Sequence, residues 1–150
     1  MSTAPALPPI AALAPPVILA LTAMFLLLVD SVDPDGDASS LLLAVTSTVG
    51  SLLALGVTGW FLLAGTGQPR TGGAITLLGD ALVVDGMSLF LTAIVASVVL
   101  LVVLASYDYI ADHPYQAEYY TMVVLAATGM TLMASANSFA TAFIAMELSS

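Results

Sequence analysis

The sequence predicts an all-α fold: a polytopic transmembrane helical bundle with four complete spans and a truncated fifth. Three observations predict it. Sixty per cent of the 150 residues are hydrophobic and seven per cent are charged, with a mean hydropathy of +1.09, far beyond what the core of a soluble domain requires. Uncharged runs cover residues 10–29, 41–64 and 89–105, each at or near the roughly 20 residues that cross about 30 Å of hydrocarbon. These runs are continuous instead of alternating, so within lipid they can satisfy their backbone polar groups as helices and not as barrel strands. The expected location is the cell membrane, crossed several times.

The first span, 10–29, carries Pro15 and Pro16. They remove two backbone donors and should kink the helix or delay its regular start. A secretion signal would have a basic residue ahead of the apolar run and a small-x-small cleavage site behind it. Neither is evident, so the run is read as a retained helix. DSVDPDGDASS, residues 30–40, is a polar loop with Pro34 and Gly36 as turn residues. Its four aspartates read as a solvated connection, because a calcium loop needs a ladder of ligands at fixed spacing that ends in Glu.

In the second span, 41–64, Thr46, Gly50, Ala54 and Thr58 recur four apart and line one face. Small side chains at that spacing let helix backbones approach closely. GTGQPRTGG, residues 65–73, has no strand before it and no phosphate-binding helix after it, so its glycines do not make a nucleotide site. Asp85, in VVDGMSLF, stands ahead of the third span, 86–106, where it can accept backbone N–H bonds and meet the positive helix end. Tyr107, Tyr109, Tyr115, Tyr119 and Tyr120 gather around the next loop, at the headgroup level that amphipathic rings favour. The fourth span, 118–135, repeats the small-residue stripe with Ala127, Thr131 and Ser135.

The fifth run, 138–150, would rise only about 20 Å as a helix, short of the hydrocarbon thickness. The expectation is therefore a single membrane domain, 1–150, forming the N-terminal part of a larger subunit whose later helices complete this one.

Several chemistries are excluded by composition. There is no cysteine and His113 is the single histidine, which rules out thiolate and multi-His metal sites and Cys nucleophiles. Ten acids against one base, Arg70, give a net charge of −9. That balance argues against nucleic acid and against polybasic contact with anionic lipid, and it suits a high-salt cytoplasm in which counterions screen self-repulsion. No flavin, iron–sulfur or quinone motif is present, so no cofactor is expected in this chain.

One acid stands apart. Glu147, in FIAMELSS, lies well inside an apolar segment, where a charged residue costs about 2.5–3.5 kcal/mol even on lenient insertion scales. A carboxyl in a poorly solvated medium favours its neutral form and gives up the proton when a cation or water arrives, the property a proton relay needs. The structural alternative is a hydrogen-bonded glutamate that pins two helices together. At 100° per residue, Ala136, Ala140, Phe143 and Ser150 share its side. Only Ser150 is polar among them, and the chain has no lysine. A counter-charge must come from elsewhere.

The stretch EYYTMVVLAATGMTLMASANSFATAFIAMELSS, residues 118–150, resembles the fourth and fifth helices of subunit N of the proton-pumping NADH:quinone oxidoreductase, respiratory complex I. VVDGMSLF and SYDYI upstream, with the tyrosine-rich acidic loop between them and helix four, follow in the same order as in that family. The resemblance is close from Leu82 onward and rests on hydropathy and spacing in the first two helices. It implies an antiporter-like membrane subunit of about fourteen helices, in which helices four to eight and nine to thirteen form inverted repeats. It also implies that Glu147 is the helix-five glutamate that pairs with a helix-seven lysine, here beyond residue 150, to move protons. The implied partners are other membrane subunits of a complex I-like assembly, with quinone bound elsewhere in the complex, and the chain alone is not expected to be catalytic. The implied topology puts the N-terminus outside and Arg70 on the outer side, against a naive positive-inside count. Two alternatives stay open: a cation/proton antiporter subunit of the Mrp type, which shares this ancestry, and a non-catalytic membrane assembly or scaffold protein.

Overall fold

The computed structural model describes residues 9–32, 40–66, 73–110, 113 and 115–150. Residues 33–39 of the Asp-rich loop after the first span and residues 67–72 of the loop that holds Arg70 lie outside the described residues. A 3₁₀ turn, Pro9–Leu13, leads into α1, Ala14–Val32; α2 is Ser40–Leu63, α3 Gly86–Ile110, α4 Gln116–Ala134 and α5 Phe139–Ser149. Between α2 and α3 lies a short hairpin of β1, Ile75–Leu77, and β2, Leu82–Val84.

The starts of the helices follow from local chemistry. Pro15 and Pro16 fall in the first turn of α1, where an N–H has no intrahelical acceptor and its loss costs nothing. The regular helix is thereby delayed to Ala14, with the 3₁₀ turn in front of it. At α3, the Ser88 N–H donates to Asp85 Oδ1 at 2.7 Å and the Asp85 N–H donates to Ser88 Oγ at 2.9 Å. This reciprocal pair is a capping box with Ser in the position usually held by Glu or Gln. Asp85 thus caps α3 as its position suggests.

α1, α2 and α3 are long and apolar enough to cross a membrane. α4 forms where a fourth span was expected, but among the described residues only those three helices reach that length and apolarity. Its first turn holds Gln116 and Glu118 and its mid-section Thr121, Thr128 and Thr131, which lower its apolarity. α5 is an apolar helix of 11 residues. The chain is therefore mostly helical, with three candidate spans, and it is a membrane protein.

α1 packs between α2 and α4, α3 packs against the same two helices, and α5 adds to α4. Leu19 and Leu26 of α1, Val103 of α3, and Tyr120 and Val124 of α4 meet in the middle of this arrangement, each 1% exposed or less. The small-residue stripe of α2 turns inward: Gly50, Ala54 and Thr58 are buried, and Thr46 is half-buried. Gly50 sits so close to Thr22 of α1 that an added Cβ would collide with its side chain. Outward-facing residues such as Val17, Leu21, Phe25, Phe90, Ile94, Val98 and Leu101 are exposed and apolar, as lipid contact requires.

Among the described residues, the hairpin departs from the all-helical fold that was expected. Its antiparallel register pairs Ile75 with Val84, Thr76 with Val83 and Leu77 with Leu82. Leu77, Leu82 and Val84 close a second apolar cluster with Ala12, Phe61 and Leu89. The hairpin thus covers the end of the bundle where α1 and α3 begin and α2 ends. Leu78, Gly79 and Asp80 at its tip have φ of 54°, 64° and 67°, and for Leu78 that left-handed conformation costs roughly 1–2 kcal/mol.

Candidate functional site

α5 carries Glu147, and its placement is built from its first residues. Ser138 is extended (φ −135°, ψ 154°) and its Oγ accepts from the Thr141 N–H at 3.2 Å. A serine with these dihedrals is a strong helix start. Immediately upstream, residues 135–137 are joined to the hairpin. The Val83 N–H donates to the Ser135 carbonyl at 2.7 Å, and the Asn137 N–H donates to the Ala81 carbonyl at 3.0 Å. The Asn137 side chain donates from Nδ2 to the Asp80 carbonyl at 2.9 Å, across 57 positions of sequence. Leu82 and Ala136 form an antiparallel bridge in the same place. The turn between α4 and α5 is therefore tied down as an added segment of the hairpin.

Further along, α5 lies against α4 at Gly129. A Cβ on that glycine would be 2.6 Å from the Ser149 nitrogen, 2.8 Å from the Ala145 oxygen and 2.9 Å from the Leu148 carbonyl carbon. Ala145 is 2% exposed. Glu147 follows two residues later, about 200° around the helix, and is exposed. Phe143, Ile144 and Met146 are exposed with it. The carboxylate therefore leaves α5 on the side away from α4, among apolar neighbours.

Among the described residues the only basic side chain is His113. It stands in the link between α3 and α4, at the end of the bundle opposite the hairpin. No described side chain supplies the positive partner that the sequence argument asks for. The described residues also contain no group of three His, Cys, Asp or Glu able to hold a metal.

Most internal hydroxyls are used by their own helices. Thr22 bonds the Ile18 carbonyl, Ser47 that of Leu43, Ser51 that of Ser47, Thr58 that of Ala54 and Thr128 that of Val124, at 2.7–3.0 Å. Bonds of this kind satisfy the hydroxyl without reaching a neighbouring helix. A hydroxyl pair crosses between α3 and α4, Ser106 Oγ with Tyr119 Oη at 2.7 Å. Because Ser106 also donates to the Val102 carbonyl, the Tyr119 hydroxyl is the donor to Ser106. Tyr120 Oη and Thr121 Oγ1 are buried with no hydrogen-bond partner among the described residues.

Sequence reasoning singled out Glu147 but neither Gly129, against which α5 lies, nor Asn137, which joins the turn before α5 to the hairpin. SANS between two apolar runs does carry a turn and an N-cap signal. The partners of Asn137, in the hairpin, have no such local signature.

No protein-family model matches the chain. Curated relatives do. Over 139 residues, 92% of its length, the chain is 32% identical to NADH-quinone oxidoreductase subunit N of Maricaulis maris. Over 75 residues, half of the chain, it is 36% identical to F(420)H(2) dehydrogenase subunit N of Methanosarcina mazei. Over 67 residues it is 37% identical to NADH-quinone oxidoreductase subunit N of Heliobacterium modesticaldum. The matched segment spans 27% of the Maricaulis protein and about 15% of the other two. The resemblance to subunit N read from the sequence is thus present in several relatives, one of them matched along nearly the whole chain.

Proposed function

We propose that this chain, similar to one subunit N protein over 92% of its length, forms the N-terminal part of an antiporter-like membrane subunit in a complex I-like oxidoreductase of the cell membrane. On this reading α1 to α4 are four spans and α5 begins a fifth that later helices complete. Electron transfer and quinone binding belong to partner subunits. Their electron donor is NADH or another reductant, a range that the name of the Methanosarcina relative supports.

Glu147 is the residue assigned to proton movement. The observation that carries this is its setting: a carboxylate on an apolar helix, exposed on the side that the chain's own α1 to α4 leave open. In that position it can meet a basic side chain from the continuation of the subunit, expected to be a lysine. An approaching cation favours the ionised carboxyl and its withdrawal favours the protonated one. Alternating between these two states moves a proton toward and away from the site without any bond being made elsewhere on this chain.

The test is Glu147→Gln in the full-length subunit within its assembled complex. Gln keeps the volume but cannot exchange the proton. The expected result is proton translocation coupled to quinone reduction lowered at least tenfold, in sealed vesicles, with subunit assembly near normal. Undiminished translocation would overturn the assignment. Glu147→Ala is less informative because it also removes packing volume.

A further inference from the structure

The hydrogen bonds between the hairpin and residues 135–137 join the turn before α5 to the hairpin that covers this end of the bundle. They act at the one point from which α5 departs. We infer that Asn137 is a positioning residue for Glu147, acting through the bond from its side-chain amide to the Asp80 carbonyl; this inference rests on the relay role proposed above.

The geometry gives the reason. Glu147 lies ten residues beyond Asn137, about 15 Å along a helix at 1.5 Å per residue. A tilt of about 10° at the turn would therefore displace the carboxyl by roughly 2–3 Å, and reacting groups misplaced by about 1 Å already lose on the order of a hundredfold in rate. Within the described residues, α5 leans chiefly on α4. The Gly129 contact fixes how α5 is rotated and how closely it lies along its later half, at Ala145, Leu148 and Ser149. The strap supplies the second point of support. It has two backbone bonds, Val83 to Ser135 and Asn137 to Ala81, and one side-chain bond, Asn137 to Asp80. Only the last can be removed by substitution while the other two remain.

Asp80 offers a backbone oxygen, so the acceptor survives whatever its own carboxylate does. It sits in the left-handed conformation at φ 67°, which Asp tolerates better than most residues. The tip of the hairpin is thereby shaped to present that carbonyl to the turn.

The experiment uses the full-length subunit in its assembled complex, with two readouts. One is coupled proton translocation. The other is the rate at which a hydrophobic carbodiimide modifies the carboxyl of Glu147, followed by mass spectrometry of the peptide, which reports the surroundings of Glu147 independently of turnover. Asn137→Ala and Asn137→Asp are expected to change the modification rate at least threefold and to lower translocation in parallel. Asn137→Gln, which keeps an amide donor, should return both to within about twofold of the parent. Unchanged modification in the first two variants, beside a Glu147→Gln control that has lost translocation, would overturn the positioning role and leave the relay role standing. Full translocation in the control would instead remove the relay role. Failure of both Asn137→Ala and Asn137→Asp to accumulate would also overturn the inference, marking the strap as a folding element.

Discussion

Gly129 of α4 and Ala145 of α5 meet backbone to backbone: a Cβ on the glycine would stand 2.8 Å from the alanine's carbonyl oxygen. The other two closest atoms, at Ser149 and Leu148, are also backbone. None of them can swing aside as a flexible side chain would. In lipid, where apolar side chains gain little by leaving their surroundings, such close approach is a principal source of helix association.

Gly129→Ala is therefore expected to push α5 off α4. Overpacking of this kind costs about 1–3 kcal/mol, and it should appear as a lower thermal midpoint of the purified protein. Gly56, which has open space around its Cβ position, provides the control. Gly56→Ala should be neutral or slightly stabilising, because Ala is the better helix former by up to about 1 kcal/mol. Equal effects of the two substitutions would refute the close contact.

The approach of Gly50 to Thr22 is closed by a side chain instead of backbone. Gly50→Ala should destabilise the α1–α2 contact, and Thr22→Ala should relieve most of that effect by removing the Oγ1 and Cγ2 atoms in the way. Thr22→Ala alone should cost little, since its hydroxyl bonds only its own helix. A double-mutant cycle on thermal or denaturant unfolding should give a coupling energy of at least about 0.5 kcal/mol. Strict additivity would count against the packing of α1 on α2.

At the start of α3, Asp85→Ala removes an acceptor for the Ser88 N–H and should cost about 0.5–2 kcal/mol. Asp85→Asn keeps a capping oxygen and should retain most of the stability. Hydrogen exchange of the amides in the first turn of α3 checks this locally: faster exchange is expected in the Ala variant, and unchanged exchange would show that the cap contributes nothing.

Much of the fold is legible in the sequence. The apolar runs gave helices within a few residues of the expected boundaries, although α3 continues to Ile110, past the expected end at 106, and α4 is less apolar than α1 to α3. The inward stripe Gly50, Ala54, Thr58 and the cap at Asp85 were legible for the same reason: both depend on spacing within a single turn or a single helix face. The hairpin was not. Strands of three residues carry too little alternation to be told from loop, and they pack with Leu89 onto Ala12 and Phe61, the last two of which are distant in sequence. Likewise Ser47 and Ser51 are fully buried although neither lies on the expected stripe. Their hydroxyls bond their own helix, so a serine that looks polar in sequence is buried at little cost.

By itself the sequence determined that this chain enters a membrane as helices and that Glu147 sits among apolar neighbours. Both follow from transfer free energy and backbone hydrogen bonding, which act on each segment separately. Only the tertiary structure decided which way Glu147 faces. That direction depends on Gly129 admitting α5 along one side and on Asn137 joining Asp80 across 57 positions. Contacts between segments so far apart are chosen by the shape of the packed bundle, and no local pattern of residues records them.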